Sequence, residues 1–191
     1  MDVTLPLFLG ELLSQGREPG DVPKILAADT DGWLAPLISS LASMVNGMPD
    51  APTGAFLAHG YAHLPLPARD ERGIYLRLAF RTGMTPWPVA ATSVVLTVAG
   101  TVALEMYQRP EDVAAGRPQY ARSFGPEQVF AAHPGTLCAL QSTADSMQVL
   151  AMTQPEAVPT GMLTFNEYSV VALRARRALR CLVNASTGGA W

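Results

Sequence analysis

The chain has 191 residues and a mass of 20.3 kDa, the length of one domain. Hydrophobic residues make up 49% and charged residues 15%, a balance that excludes a disordered chain. The formal net charge is −3, which argues against a nucleic-acid partner because phosphate binding needs a surplus of Lys and Arg.

No apolar run approaches the ~18–20 residues that a membrane-crossing helix needs. The opening residues lack the basic start of a secretory signal, and Glu11 interrupts their apolar stretch. Two cysteines, Cys138 and Cys181, are too few for a disulfide framework. The expectation is a cytoplasmic protein with reduced thiols and no membrane partner.

In chain order, residues 5–14 read as a helix, with Leu7, Leu9, Leu12 and Leu13 on a broad face. Gly16, Pro19 and Gly20 break the pattern, and a second helix follows Pro23. A third covers residues 33–44, where Leu34, Leu37, Ile38, Leu41 and Val45 fall at helical spacing. Residues 46–52 form a loop, so residues 1–50 make a helical cap. Residues 55–66 are short and apolar, and residues 69–73 turn. Residues 74–81 alternate with period two, placing Ile74, Leu76, Leu78 and Phe80 on one face and Tyr75, Arg77, Ala79 and Arg81 on the other. Residues 93–98 form a β-branched strand, Ala99-Gly100 turns, and residues 101–107 read as its hairpin partner. Three more strands fall at 129–132, 137–141 and 147–152. Such spacing predicts a mainly β fold, a sandwich or barrel over residues 51–165. The tail, residues 166–191, returns to helix. Asn166 and Glu167 suit its start, and Tyr168, Val171, Ala172, Ala175, Leu179 and Leu182 form an apolar stripe. Arg174, Arg176, Arg177 and Arg180 read as a solvated basic face or a contact for an acidic partner or a second copy.

Four pieces of the middle of the chain form a recognisable series. They are the stretch 69–80, a turn entering a strand, the run Arg81-Thr82-Gly83-Met84-Thr85-Pro86-Trp87, the strand and glycine over 94–100, and Pro134-Gly135-Thr136-Leu137. In this order they resemble the cupin superfamily, most nearly its cysteine dioxygenase-like thiol dioxygenases, over roughly residues 55–155. The resemblance implies a cupin-type β-barrel, or jelly roll, with an N-terminal helical cap and a C-terminal helix. It also implies a metal site of two His in a His-x-His pair, a nearby Glu and a third His after the Pro-Gly turn, donors that suit iron, nickel or zinc. This chain departs from that pattern. Its window Pro86-Trp87-Pro88-Val89-Ala90-Ala91 contains no metal ligand, Ser93 or Val94 stands at the Glu position, and Cys138 stands at the third His. The expectation is no bound metal and no cofactor.

Three histidines remain: His59, His63 and His133. The segment around His59 and His63 looks extended, where a four-residue spacing is not a chelate, and His133 sits on a turn before Pro134; all three read as surface or hydrogen-bonded histidines. The resemblance adds that Tyr61-Ala62-His63 lies where thiol dioxygenases carry a basic residue for the substrate carboxylate. The strand over 74–81 leaves a choice. Either its aliphatic face lines the barrel, or Tyr75, Arg77 and Arg81 project inward, and an inward arginine calls for an anionic ligand. Candidate catalytic residues are therefore His63, Tyr75 and Tyr107. Candidate substrate-binding residues are Arg77, Arg81, Trp87, Cys138 and Gln141.

Phosphate-loop and nucleophile-elbow motifs are missing. Two functions stay open: a metal-independent enzyme moving protons on a small organic molecule, an anion if the arginines face inward, by isomerisation, dehydration or cyclisation, and a non-catalytic binding module. A divergent thiol dioxygenase is a third, which the lost ligands disfavour. The apolar composition also suggests a homodimer, with the C-terminal helix at or near the contact.

Overall fold

The computed structural model describes residues 34–48, 54–66, 73–80, 86–126, 128–152 and 161–186. The helices expected over 5–14 and after Pro23, most of the turn at 69–73, and Arg81 lie outside the described residues.

Eleven strands and three helices appear among the described residues. The helices are α1 (Leu34–Asn46), α2 (Pro110–Ala114) and α3 (Phe165–Ser186). The strands are β1 (Phe56–Ala58), β2 (Tyr61–Pro65), β3 (Gly73–Ala79), β4 (Trp87–Pro88), β5 (Ser93–Ala99), β6 (Val102–Tyr107), β7 (Tyr120–Phe124), β8 (Val129–Ala132), β9 (Leu137–Ser142), β10 (Met147–Met152) and β11 (Gly161–Met162). They form two antiparallel sheets, ordered β11-β1-β2-β3-β10-β5-β8 and β4-β9-β6-β7. From β3 to β10 the chain crosses between the sheets at every step except β6–β7, and β3 and β10, like β4 and β9, end as neighbours. That order is the double-sheet jelly roll, the fold of the cupin-type barrel that the resemblance implied.

The strands at 93–99 and 102–107 do exist, yet they are not a hairpin. β5 pairs with β10 and β8, whereas β6 pairs with β7 and β9. Ala99 and Gly100 carry the chain from one sheet to the other. Gly100 has φ +69°, and a Cβ there would lie 2.7 Å from the Ser146 Cα. Only glycine allows both the turn and this approach. The apolar stretch at 55–66 is likewise two strands, β1 and β2, joined at His59-Gly60.

β3 is buried along its whole length, so period-two alternation separates two cores rather than core from solvent. Ile74, Leu76 and Leu78 face out and pack with Leu41 of α1 and Val171, Ala175 and Leu179 of α3. Tyr75 and Ala79 face in and join Val102, Leu104, Phe130 and Leu140 in the barrel interior.

The stripe on α3 is thus buried against its own chain, with Leu179 at 0% exposure. Its N-cap is Thr164 rather than Asn166. Glu167 N–H donates to Thr164 Oγ1, and Thr164 N–H donates to a Glu167 carboxylate oxygen, a reciprocal capping box. The arginines are not simply a solvated face. Arg174 donates to the backbone carbonyls of Ala79 and Ala144, and Arg176 to that of Val45, so they staple α3 to the barrel and to α1. None of the described helices is long and apolar enough to cross a membrane.

Candidate functional site

Antiparallel register builds the site. Phe56 pairs with His63, His63 with Arg77, Arg77 with Gln148, and Gln148 with Thr97. These residues share the inward parity of the larger sheet, so they form one row across its concave face. The choice left open by the sequence is thereby settled: the Tyr75–Arg77 face is the interior one.

Arg77 is 4% exposed. Its Nε donates to Gln148 Oε1, and its guanidinium carbon lies 4.5 Å from the centre of the Tyr61 ring. The Gln148 amide nitrogen donates in turn to Ser146 Oγ at 3.1 Å and Ser142 Oγ at 3.4 Å, and Tyr61 OH bonds to Ser142 Oγ. A cation held inside a barrel in this way is permanent, because guanidinium does not deprotonate in proteins. Thr97 Oγ1 ends the row, buried and without a hydrogen-bond partner among the described residues.

Beside this cation lies a cavity of about 50 Å³. It exceeds the ~10–15 Å³ that one water needs and is far below the space of a drug-sized ligand. Its polar wall is His59, His63, Arg77, Ser93 and Cys138, and the rest includes Trp87, Val89, Val95, Phe130, Leu150 and Met152. The lining includes no carboxylate.

His63 is a buried residue, not a surface one. Its ring stacks on Phe56 at 4.6 Å and meets the edge of Tyr75 at 5.9 Å. Nδ1 lies 3.3 Å from the Tyr61 carbonyl oxygen. A carbonyl only accepts, so Nδ1 carries the hydrogen and Nε2 keeps its lone pair. Burial, and then the charge of Arg77, lower its pKa to about 3. His59 sits at the β1–β2 turn, stacked on Trp87 at 4.2 Å with the rings 13° from parallel. Burial and then Arg77 lower its pKa to about 4. Both imidazoles are therefore neutral at physiological pH.

Cys138 is buried on β9, opposite Trp87 of β4. Burial pushes its thiol up to about 11, which keeps it protonated and removes it as a nucleophile. Trp87 is half-buried on the cavity wall. Tyr75 stands next to His63 but is not part of the lining.

Two candidates point elsewhere. Tyr107 shares its parity on β6 with Glu105, to which its hydroxyl donates, while the alternate residues Val102 and Leu104 face the interior. Gln141 is exposed, alternating with the inward Cys138 and Leu140 on β9. His133 is exposed on the turn before β9, where its carbonyl accepts from Thr136 Oγ1. Sequence reasoning missed Gln148, Ser142, Ser146 and Tyr61. Only strand register, which the chain does not print, puts them around Arg77. Sequence reasoning also read His59 as a surface or hydrogen-bonded histidine, whereas the structure lays it on Trp87 in the cavity wall.

The metal donors of the resembled family do not assemble here. The wall that would hold them presents Trp87, Val89, Ser93 and Cys138, and the imidazoles come from the β1–β2 hairpin instead. Among the described residues no three His, Cys, Asp or Glu come together as a metal site.

No known family model and no curated protein matches the chain. Solved structures that resemble it include KdgF from Halomonas sp., at 15% identity over 51% of this chain and 84% of that one, with a TM-score of 0.40. Iron(II) HppE is similar at 9% identity over 56% and 60% of the two chains, with a TM-score of 0.41. A cupin superfamily protein from Desulfitobacterium hafniense is similar at 11% identity over 56% and 90%, with a TM-score of 0.37. At this distance the jelly roll stands on the chain's own strand order and register.

Proposed function

We propose that the barrel binds a small organic anion against Arg77 and moves a proton on it through His63, without a metal. The reaction class is isomerisation, dehydration or cyclisation. One observation carries this reading: a buried guanidinium and a buried neutral imidazole stand side by side on the wall of one cavity. The guanidinium supplies a fixed positive charge for a carboxylate or a similar group, in surroundings where little water competes. Bound there, the ligand meets an imidazole whose Nε2 can accept a proton. Tyr75 braces that ring from its edge, and Trp87 forms part of the opposite wall.

A thiol dioxygenase reading has no support from the donor positions, which hold Trp87, Val89 and Cys138. The second reading is a non-catalytic binding module. The apolar remainder of the wall, with Val95, Phe130, Leu150 and Met152, favours it. Incubating the protein in D2O with a panel of small 2-oxo, 2-hydroxy and unsaturated acids separates the two. Deuterium entering a carbon-bound position of one acid, and lost with His63→Gln, is the expected result. Binding across the panel with no exchange anywhere would leave only the binding module.

A further inference from the structure

On the anion-binding reading above, we propose that the cavity takes up its ligand together with a proton, which lodges on His59. The ligand's charge then arms an acid in the same cavity as the base His63.

The hairpin explains why His59 is singled out. Ala58 pairs with Tyr61, so His59 and Gly60 form a two-residue turn. Both have positive φ, 53° and 82°. This is a type I′ turn, whose first position suits Asn, Asp or Gly best. Histidine adopts this conformation at some cost, and the turn itself does not require an imidazole. What the imidazole gains is position: it lines the cavity and lies flat on Trp87, which comes from the other sheet.

Among the described residues, the charged and titratable groups that share the cavity with His59 are these. Arg77 of β3, His63 of β2 and Cys138 of β9 share the cavity, and Trp87 of β4 covers one ring face. Without a ligand, the permanent charge of Arg77 opposes a second cation here, and its effect on His59 has that sign. An anion on Arg77 cancels this repulsion. Of the two imidazoles, His59 is the less buried, and the π face of Trp87 favours a cation lying on it. His63 is shut in by Phe56 and Tyr75, whose burial effect a ligand does not relieve. The proton comes from solvent and no bond in the ligand changes. By linkage, a ligand that raises the proton affinity of His59 binds more tightly as the pH falls.

Methanesulfonate is the probe, since it stays anionic at every pH used. The side-chain NMR signals of His59, His63 and His133 are followed against pH with and without it, assigned from single His→Asn variants. The expected result is that the His59 midpoint rises by about two pH units, which by linkage improves affinity about tenfold between pH 8 and pH 5. His63 responds to the probe without gaining a proton. His59→Asn, which suits the turn, binds with an affinity that no longer improves as the pH falls. Binding with an unmoved His59 midpoint, or a proton on His63 instead, overturns this proposal and leaves the anion site standing. No binding at any pH overturns both.

Discussion

Lowering the pH from 7 to 5 should destabilise this fold through His63. The residue is 2% exposed, and burial with the Arg77 charge holds its pKa at about 3. In the unfolded chain the value returns to 6.5. As the pH falls through 6.5, the unfolded state takes up a proton that the folded state refuses until about pH 3. Uptake by the unfolded state alone favours unfolding, so stability is full above the unfolded value and drains as the pH drops toward the folded one. Integrated from pH 7 to pH 5, the loss from this one residue is about 2 kcal/mol. For a chain of this size that is about 4–8 °C in Tm. Other groups titrate in the same range, so the assay is a difference. Urea unfolding of the parent and of His63→Gln is followed by tryptophan fluorescence at several pH values between 7 and 5. The parent should lose about 2 kcal/mol more than the variant over that span. Equal losses would refute the picture of a neutral histidine locked inside the barrel.

Further outcomes follow from packing and composition. Gly100→Ala forces a Cβ to 2.7 Å from the Ser146 backbone at positive φ, so chemical denaturation should show a loss of about 2 kcal/mol or more. With a thiol reagent in native buffer, the exposed Cys181 should react promptly, and the buried Cys138 should react only on unfolding. The homodimer suggested by composition is tested by light scattering, where a mass near that of one chain would end it. Leu179→Glu should unfold the protein rather than release intact monomers, because Leu179 is fully buried in its own chain's core.

Much of the architecture was legible because it is written locally. Helical spacing of Leu37, Ile38, Leu41 and Val45 marks α1, and period two marks β3. Strands β8, β9 and β10 fall where the Pro-Gly turn and the Thr143-Ala144-Asp145 turn separate apolar runs. Pairing was not legible. β5 and β6 look like a hairpin because they are adjacent in sequence, and nothing local says that Gly100 sends the chain to the other sheet. β7 was missed because Tyr120, Ala121, Arg122 and Ser123 are all exposed and show no alternation. For the same reason the site was half visible. Arg77 and His63 stood out by residue type, whereas Gln148 and Ser142 become meaningful only once register places them beside the guanidinium. Tyr107 and Gln141 were drawn in by their strands and turned away by their parity.

The central claim is that Arg77 makes this barrel a site for a small organic anion. Calorimetric titration of short-chain carboxylates and sulfonates into the parent and into Arg77→Met tests it most directly. Methionine keeps much of the apolar stem and removes only the charge and its donors. The account predicts saturable binding of one anion per chain in the parent, weakened about tenfold to a hundredfold in the variant, with the circular dichroism of both unchanged. Equal affinity in the two folded proteins would contradict it.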